Sequence, residues 1–256
     1  MSLHQVAARK LQTALAIRRH TSNWGWLWIS RILPWLYQGP VRLRSGISIY
    51  PRETLHGSWG EIFEPAIADC YGLRNVPAID VFWDVGANIG AFSCVAGHMF
   101  PEARIVAYEP DSDAVHALQR NLSGNRIGNV TIIPFPVTRD GRDVTFTRTA
   151  GGASNIYGCN EGSLMHMPSR MLETSGMDPR QRLLVKLDCE GSEGELTEWI
   201  AENGSHLPAM MRVIGEFHPW CPRSPDDISR SLQAAGFRVT WGDRFGEKYF
   251  DAVRQW

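Results

Sequence analysis

The sequence predicts an α/β domain on a mostly parallel sheet, preceded by a helical and hairpin extension. Three observations predict it. From Ile79 onward, short apolar runs alternate with helix-spaced stripes, the pattern of strands joined by crossover helices. The first run alternates Val81, Trp83 and Val85 and passes straight into the turn Gly86-Ala87-Asn88-Ile89-Gly90, which opens a helix. The second run ends in Glu109, nineteen residues beyond Gly90.

The remaining elements follow from the same rules. Strand 79–85 leads to helix 89–99, strand 104–109 to helix 111–123, and strand 130–135 to an extended piece at 143–148. Residues 149–180 are rich in Gly, Ser, Asn, Met and Pro, and read as a long loop with one short helix near 169–175. Strand 183–188 precedes helix 193–203, and strand 211–217 precedes a loop at 218–225 and helix 225–235. Alternation over 237–241 and 249–253 reads as a closing antiparallel hairpin. Ahead of these lies an extension, residues 1–75. It comprises an amphipathic helix over 3–19, an aromatic cluster of Trp24, Trp26, Trp28 and Trp35 stopped by Pro34, a hairpin around Ser45-Gly46, and a helical stripe from Trp59 to Cys70.

Composition excludes several classes. A chain of 256 residues with 43% hydrophobic and 21% charged residues is ordinary for a soluble globular protein. Net charge of −1, with no Lys-rich stripe and no recognised module, gives no reading as a nucleic-acid binder. Five scattered cysteines without C-x-x-C spacing argue against a zinc ribbon or a disulfide framework, and fit a reducing, cytoplasmic setting. No run reaches the ~18 apolar residues of a membrane span. Charge is nevertheless unevenly spread. Residues 1–52 hold eight Arg or Lys and no acid, leaving 18 basic against 27 acidic residues in the rest. The basic, Trp-rich segment reads by default as an amphipathic helix packed on the domain. A lid or substrate wall, a homodimer interface and a peripheral membrane contact are its other readings.

The glycine turn carries the first chemistry. A dinucleotide site has G-x-G-x-x-G, whereas here Asp84 precedes Gly86 and Gly90 closes a Gly-x-x-x-Gly spacing. An acid beside the turn repels pyrophosphate but suits a cationic ligand, such as S-adenosylmethionine (SAM) with its ammonium and sulfonium. Glu109, at the end of the second strand, is placed to accept hydrogen bonds from both ribose hydroxyls. Asp111 suits an N-cap of the next helix better than a ligand contact. Asp84, Gly86, Ala87, Asn88, Gly90, Glu109 and Asp111 are therefore the candidate cofactor-binding residues.

Two further stretches carry candidate catalytic residues. In Lys186-Leu187-Asp188-Cys189-Glu190-Gly191-Ser192-Glu193, Asp188 ends an apolar strand and faces the crevice where open α/β sheets bind ligands. Glu190 follows it, while Glu193 and Glu195 read as acids favoured at a helix start. In Glu216-Phe217-His218-Pro219, His218 ends a strand beside a loop containing Trp220, and is the candidate general base. Asp188, Glu190, Glu216 and His218 could alternatively gather a divalent metal, since oxygen-rich sites suit such ions.

Together, Asp84–Gly90, Tyr108–Asp111, Val185–Glu193 and Gly215–Pro219 resemble the FkbM-type SAM-dependent methyltransferases. One departure is Pro136-Val137-Thr138-Arg139, where that family often carries a Ser-Asp pair. The resemblance covers residues 79–256. It implies a Rossmann-like class I methyltransferase sheet, mostly parallel, of seven strands with the last antiparallel, within a SAM-binding domain over 76–256. It further implies SAM at the carboxyl ends of the first strands and O-methylation of a hydroxyl on a small or medium molecule. A sugar, glycolipid or polyketide-like product would serve. Two other readings stay open: a Rossmann-like nucleotide-cofactor oxidoreductase, and a non-catalytic protein that keeps the fold for partner binding.

Overall fold

The structure is a computed structural model that describes residues 3–55, 57–149, 154–157, 162–244 and 247–256, with side chains from residue 10 onward. Cys159 and part of the 149–180 segment lie outside them. The extension contributes α1 (Leu3–His20), α2 (Trp24–Ile32), a 3-10 turn (Pro34–Leu36), strands β1 (Val41–Arg42) and β2 (Ser48–Ile49), and α3 (Trp59–Ile62), which continues as a π-helical turn over Phe63–Ala68. Beyond it come β3 (Val81–Val85), α4 (Ala91–Met99), β4 (Arg104–Tyr108), α5 (Ser112–Gly124), β5 (Val130–Ile133), β6 (Asp143–Arg148) and β7 (Ser163–Pro168). β8 (Arg182–Leu187), α6 (Glu193–Glu202), β9 (Met210–Phe217), α7 (Pro225–Ala234), β10 (Arg238–Arg244) and β11 (Glu247–Arg254) complete the chain.

Seven strands form one sheet in the order β10-β11-β9-β8-β3-β4-β5. Strands β9, β8, β3, β4 and β5 pair in parallel, and β11 runs antiparallel to both its neighbours. This is the sheet expected from the sequence. The chain steps from β3 outward through β4 to β5, then returns to β8 on the other side of β3. The carboxyl ends of β3 and β8 thus flank the switch point, where the crossovers diverge and leave a crevice.

β3 is buried along its whole length because helices cover both faces of the sheet. Phe82 joins a core with Phe92, Leu118 and Leu184, whereas Val81, Trp83 and Val85 pack with Leu196, Trp199 and Ile228. Ile17, Leu27, Val41, Ile49 and Leu55 of the extension share the first of these cores. β2 itself is only two residues long, and two asparagines, one in α5 and one capping its end, serve the backbone of this stretch. Asn125 accepts from Ser48 N–H (2.7 Å) and donates to Ser48 C=O (2.8 Å). Asn121, one turn earlier, accepts from Tyr50 N–H (2.8 Å) and donates to Tyr50 C=O (3.0 Å) and Ile89 C=O (2.9 Å). This clamp delivers Arg52, two residues later, to the glycine turn.

Two expectations fail in 149–180. Ser163–Pro168 is a strand, paired antiparallel with β6 from Ser163↔Arg148 to Pro168↔Asp143. Residues 169–175 are extended rather than helical, because Arg170 donates to Pro136 C=O (2.9 Å) and accepts from Thr138 N–H (2.9 Å). Leu172 is buried beside that contact, against the core that holds Tyr108 and Val137.

Replacing Asn121 by Ala leaves the buried Ile89 carbonyl and the half-buried backbone groups of Tyr50 without these partners. It is expected to lower unfolding free energy by about 1–3 kcal/mol in chemical denaturation. A loss within error would show that the clamp carries no stability.

Candidate active site

The turn after β3 is folded by backbone geometry that its sequence permits. Gly86 has φ +78°, and a Cβ there would stand 1.7 Å from the Asp188 carbonyl oxygen. Glycine is therefore required both for conformation and for close approach of the two strand ends. Gly86 and Ala87 donate their N–H groups to Tyr108 C=O, each at 3.0 Å, and Asn88 follows with φ +48°. Gly90 caps α4 at φ +79°, with Leu118 where a side chain would go.

Glu109 lies under this turn and is buried. One carboxylate oxygen accepts from Asn88 N–H (2.7 Å), the other from Asp111 N–H (2.8 Å). Burial outweighs those two hydrogen bonds and raises its pKa to about 7. Each oxygen keeps acceptor capacity for a hydroxyl donor. Asp111 caps α5 through Asp113 N–H (2.9 Å) and is ion-paired with Arg52 and Arg148 at 3.3 Å each, so its carboxylate is engaged as an N-cap. Arg52 also donates to the Asn88 side chain (2.8 Å).

Asp84 sits differently from expectation. It is fully buried, accepts from Ser93 Oγ (2.6 Å), and lies 3.1 Å from the Lys186 ammonium. Its charge is answered inside the protein. The acidity of the crevice comes instead from Glu109, Asp188 and Glu190.

Lys186 is also buried. Its ammonium donates to Gly86 C=O (2.8 Å) and pairs with Asp84 and, at 3.4 Å, with Asp188. Burial works against its charge, but the two carboxylates outweigh it and the pKa rises. Asp188 is held below the usual carboxylate range: burial opposes ionisation, while Lys186, His218 and the Tyr71 hydroxyl (2.8 Å) outweigh it.

His218 closes the group. Its Nδ1–H donates to Glu193 (2.8 Å), and its Nε2 faces Glu190 at 3.5 Å and Asp188 and Glu216 at 3.8 Å each. Burial disfavours its charge, but Glu193 with Asp188 and Glu190 overrides this and pushes the pKa to about 10. At neutral pH the ring is an imidazolium. Burial raises Glu190 to about 7, and burial with Asp188 raises Glu216 to about 8. Glu190 Oε2 is buried without a hydrogen-bond partner among the described residues. Glu216 accepts from the Tyr249 hydroxyl (2.8 Å).

Two cavities meet here. One holds about 710 Å³ of empty space, mouth included, and is lined by Gly86, Asn88, Glu109 and Asp111 together with Phe135, Val137, Phe146 and Ile156. The other, about 670 Å³, is lined by Glu61, Glu64, Tyr71, Ala87, Lys186, Glu216 and His218. Gly86, Asn88, Asp188 and Glu190 border both, whereas Asp84 and Gly90 border neither. A carboxylate with spare acceptor capacity beside an apolar slot fits a ribose and a flat base, so the first cavity fits the adenosine part of SAM. The metal alternative does not fit. His218 Nε2 itself occupies the space between Asp188, Glu190 and Glu216, and among the described residues no cluster of His, Cys, Asp or Glu has metal-holding geometry.

Sequence reasoning missed several residues. Lys186 had a readable signal, since a lysine inside an apolar strand needs a buried partner. Glu193, expected only as a helix-start acid, opens α6 and folds back onto the N–H groups of Cys189 and Gly191 as well as His218. Arg52, Tyr71 and Tyr249 come from distant segments and carry no local pattern.

The sequence matches no family model. It is 29% identical over 166 residues to the hexuronic acid methyltransferase AglP of Haloferax volcanii, covering 64% of this chain and 65% of that protein. Over 56 residues, 22% of each chain, it is 41% identical to the methyltransferase sdnD of Sordaria araneosa. The matches thus span less than two thirds of either relative. Similar solved structures include the magnesium protoporphyrin IX methyltransferase of Synechocystis with bound SAM (TM-score 0.44, 17% identity, 78% of this chain and 81% of that one). Another is the ribosomal protein L11 methylase of Lactobacillus delbrueckii (TM-score 0.43, 13% identity, 73% and 76%).

Two outcomes are expected. Gly86→Ala forces a strained φ and a backbone clash, and should cost at least about 1–3 kcal/mol of unfolding free energy. Wild-type stability would refute the close approach of β3 and β8. The second concerns pH. Glu190 and Glu216 have raised folded-state pKa values, so their contribution is present near pH 4.5 and lost as pH rises through about 7 and 8. His218 contributes below about pH 6.5 and loses it through about 10. Stability should therefore fall from pH 5 to pH 9, less steeply between 5 and 8 in Glu216→Gln. Identical slopes by denaturant titration would contradict the burial of Glu216.

Proposed function

We propose that this protein is a SAM-dependent methyltransferase of the FkbM type that methylates a hydroxyl of a small or medium molecule. The observation that carries the reading is the meeting of two cavities at Gly86, Asn88, Asp188 and Glu190, one with Glu109 and an apolar slot, the other with a carboxylate-rich wall. The similarity to two proteins named as methyltransferases supports it.

Glu109 takes the ribose hydroxyls, and Phe135, Val137 and Phe146 enclose the base. Bound SAM supplies an electrophilic methyl group on a sulfonium. Asp188, kept charged by Lys186, and Glu190 stand where the cavities join and orient the acceptor hydroxyl. His218 was the expected base, but its imidazolium has no lone pair to accept a proton. The base in this reading is Glu190, whose pKa near 7 suits proton removal at neutral pH and whose Oε2 lies 3.5 Å from His218 Nε2. His218 positions it. Lys186 and His218 are each held by carboxylates, so an acidic acceptor finds no available cation there. A neutral or amine-bearing polyhydroxylated acceptor fits the second cavity better than a uronate.

Calorimetry with SAM or S-adenosylhomocysteine tests the cofactor directly. Folded protein that shows no binding at millimolar ligand would remove the proposal, and Glu109→Ala should weaken binding at least tenfold. Glu190→Gln should lower kcat by roughly 10²–10⁴ with little change in SAM affinity. In the wild type, kcat should rise as pH passes about 7 and then level, because the ionised carboxylate is the active form. A flat profile from pH 6 to 8 would assign the base elsewhere.

A further inference from the structure

The extension leaves an apolar face without a partner. α1 exposes Leu11 and Leu15, one turn apart, beside Lys10, Arg18 and Arg19. α2 buries Leu27 and Ser30 and turns Trp24, Trp26, Ile29 and Ile32 outward. The turn after it exposes Trp35 and Leu36, with Ile32 at 75% and Trp35 at 72% the most open. Nine of the fourteen exposed large hydrophobics among the described residues fall within 11–36. The same stretch has Arg18, Arg19 and Arg31 and no acid, as does everything up to Arg52.

We propose that this Trp- and Arg-bearing face docks the protein onto an anionic lipid surface. Exposed Trp and Ile gain by entering the headgroup–acyl boundary, where the indole N–H stays wet. Arg and Lys gain from anionic headgroups. No described helix is long and apolar enough to cross a membrane, so the contact is with the surface. Charge decides between this and pairing with a second copy. Two such faces would meet base against base, with no acid in the segment to answer them. The face lies one helix from the second cavity: Ser30 and Arg31 border a hollow with Trp59, and Gly60, Glu61 and Glu64 of the following helical turns line that cavity. Docking rests on the surface alone and does not depend on the catalytic reading.

The test is co-sedimentation of the full chain with vesicles of phosphatidylcholine alone, or with 30% phosphatidylglycerol, at low and at 0.5 M salt. The expected result is at least tenfold stronger partition onto anionic vesicles, weakened by salt, with a blue shift of Trp fluorescence. Ile32→Ser with Trp35→Ser should lower partition at least tenfold. Lys10→Gln with Arg19→Gln should reduce the salt-dependent part, all variants keeping the wild-type circular dichroism and melting temperature. Absence of partition onto either vesicle overturns the proposal. So does a dimer in analytical ultracentrifugation that the Ile32 and Trp35 substitutions dissolve, which would assign the face to a second copy.

Discussion

The Lys186 ammonium lies between the carboxylates of Asp84 and Asp188, at 3.1 and 3.4 Å, and donates to the Gly86 carbonyl. Those three groups come from the ends of the two central strands and from the turn between cleft and sheet. A buried ammonium costs several kcal/mol in desolvation unless it is fully paired, and removing a partner from such a pair typically costs about 3–5 kcal/mol. The site therefore has one arrangement: β3 and β8 end side by side, with Gly86 against Asp188. Anything larger than hydrogen at Gly86 would force them apart.

From that contact the rest of the electrostatics follows. Asp188 stays ionised beside Lys186 and in turn helps hold His218 as an imidazolium. With those charges matched, Glu190 and Glu216 are left in partly buried places with insufficient positive charge, and their pKa values rise toward neutrality. A cluster that looks in the sequence like several interchangeable acids around one histidine becomes ordered. Some are fixed charges, and others are carboxyls able to exchange a proton near pH 7.

Legibility varied with the length over which each signal acts. The parallel strands and their helices were readable because burial on both faces writes a continuous apolar run, and α4 to α7 write stripes at helical spacing. β7 was not readable. Its residues from Ser163 to Met167 are largely exposed and are held by backbone pairing with β6, which leaves no hydrophobic alternation to detect. The helix expected near 169–175 failed because Arg170 pairs with Pro136 and Thr138, a contact about thirty residues away in the chain. The sequence marks Asp84 as a cofactor-binding candidate, but its carboxylate is buried between Ser93 of α4 and Lys186 of β8, a placement that depends on partners from two other elements.

The sequence by itself determined the sheet, the glycine turn, the carboxylate at Glu109 and the convergence of Asp188, Glu190 and His218 on one end of the fold. Each is a consequence of local pattern and strand order. Only the tertiary structure decided which of those groups are charged, which face a cavity, and that Arg52, Tyr71 and Tyr249 join them. The physical reason is that proton affinity and burial depend on neighbours gathered from segments up to 185 residues apart, as with Glu64 and Tyr249. No local spacing encodes that proximity.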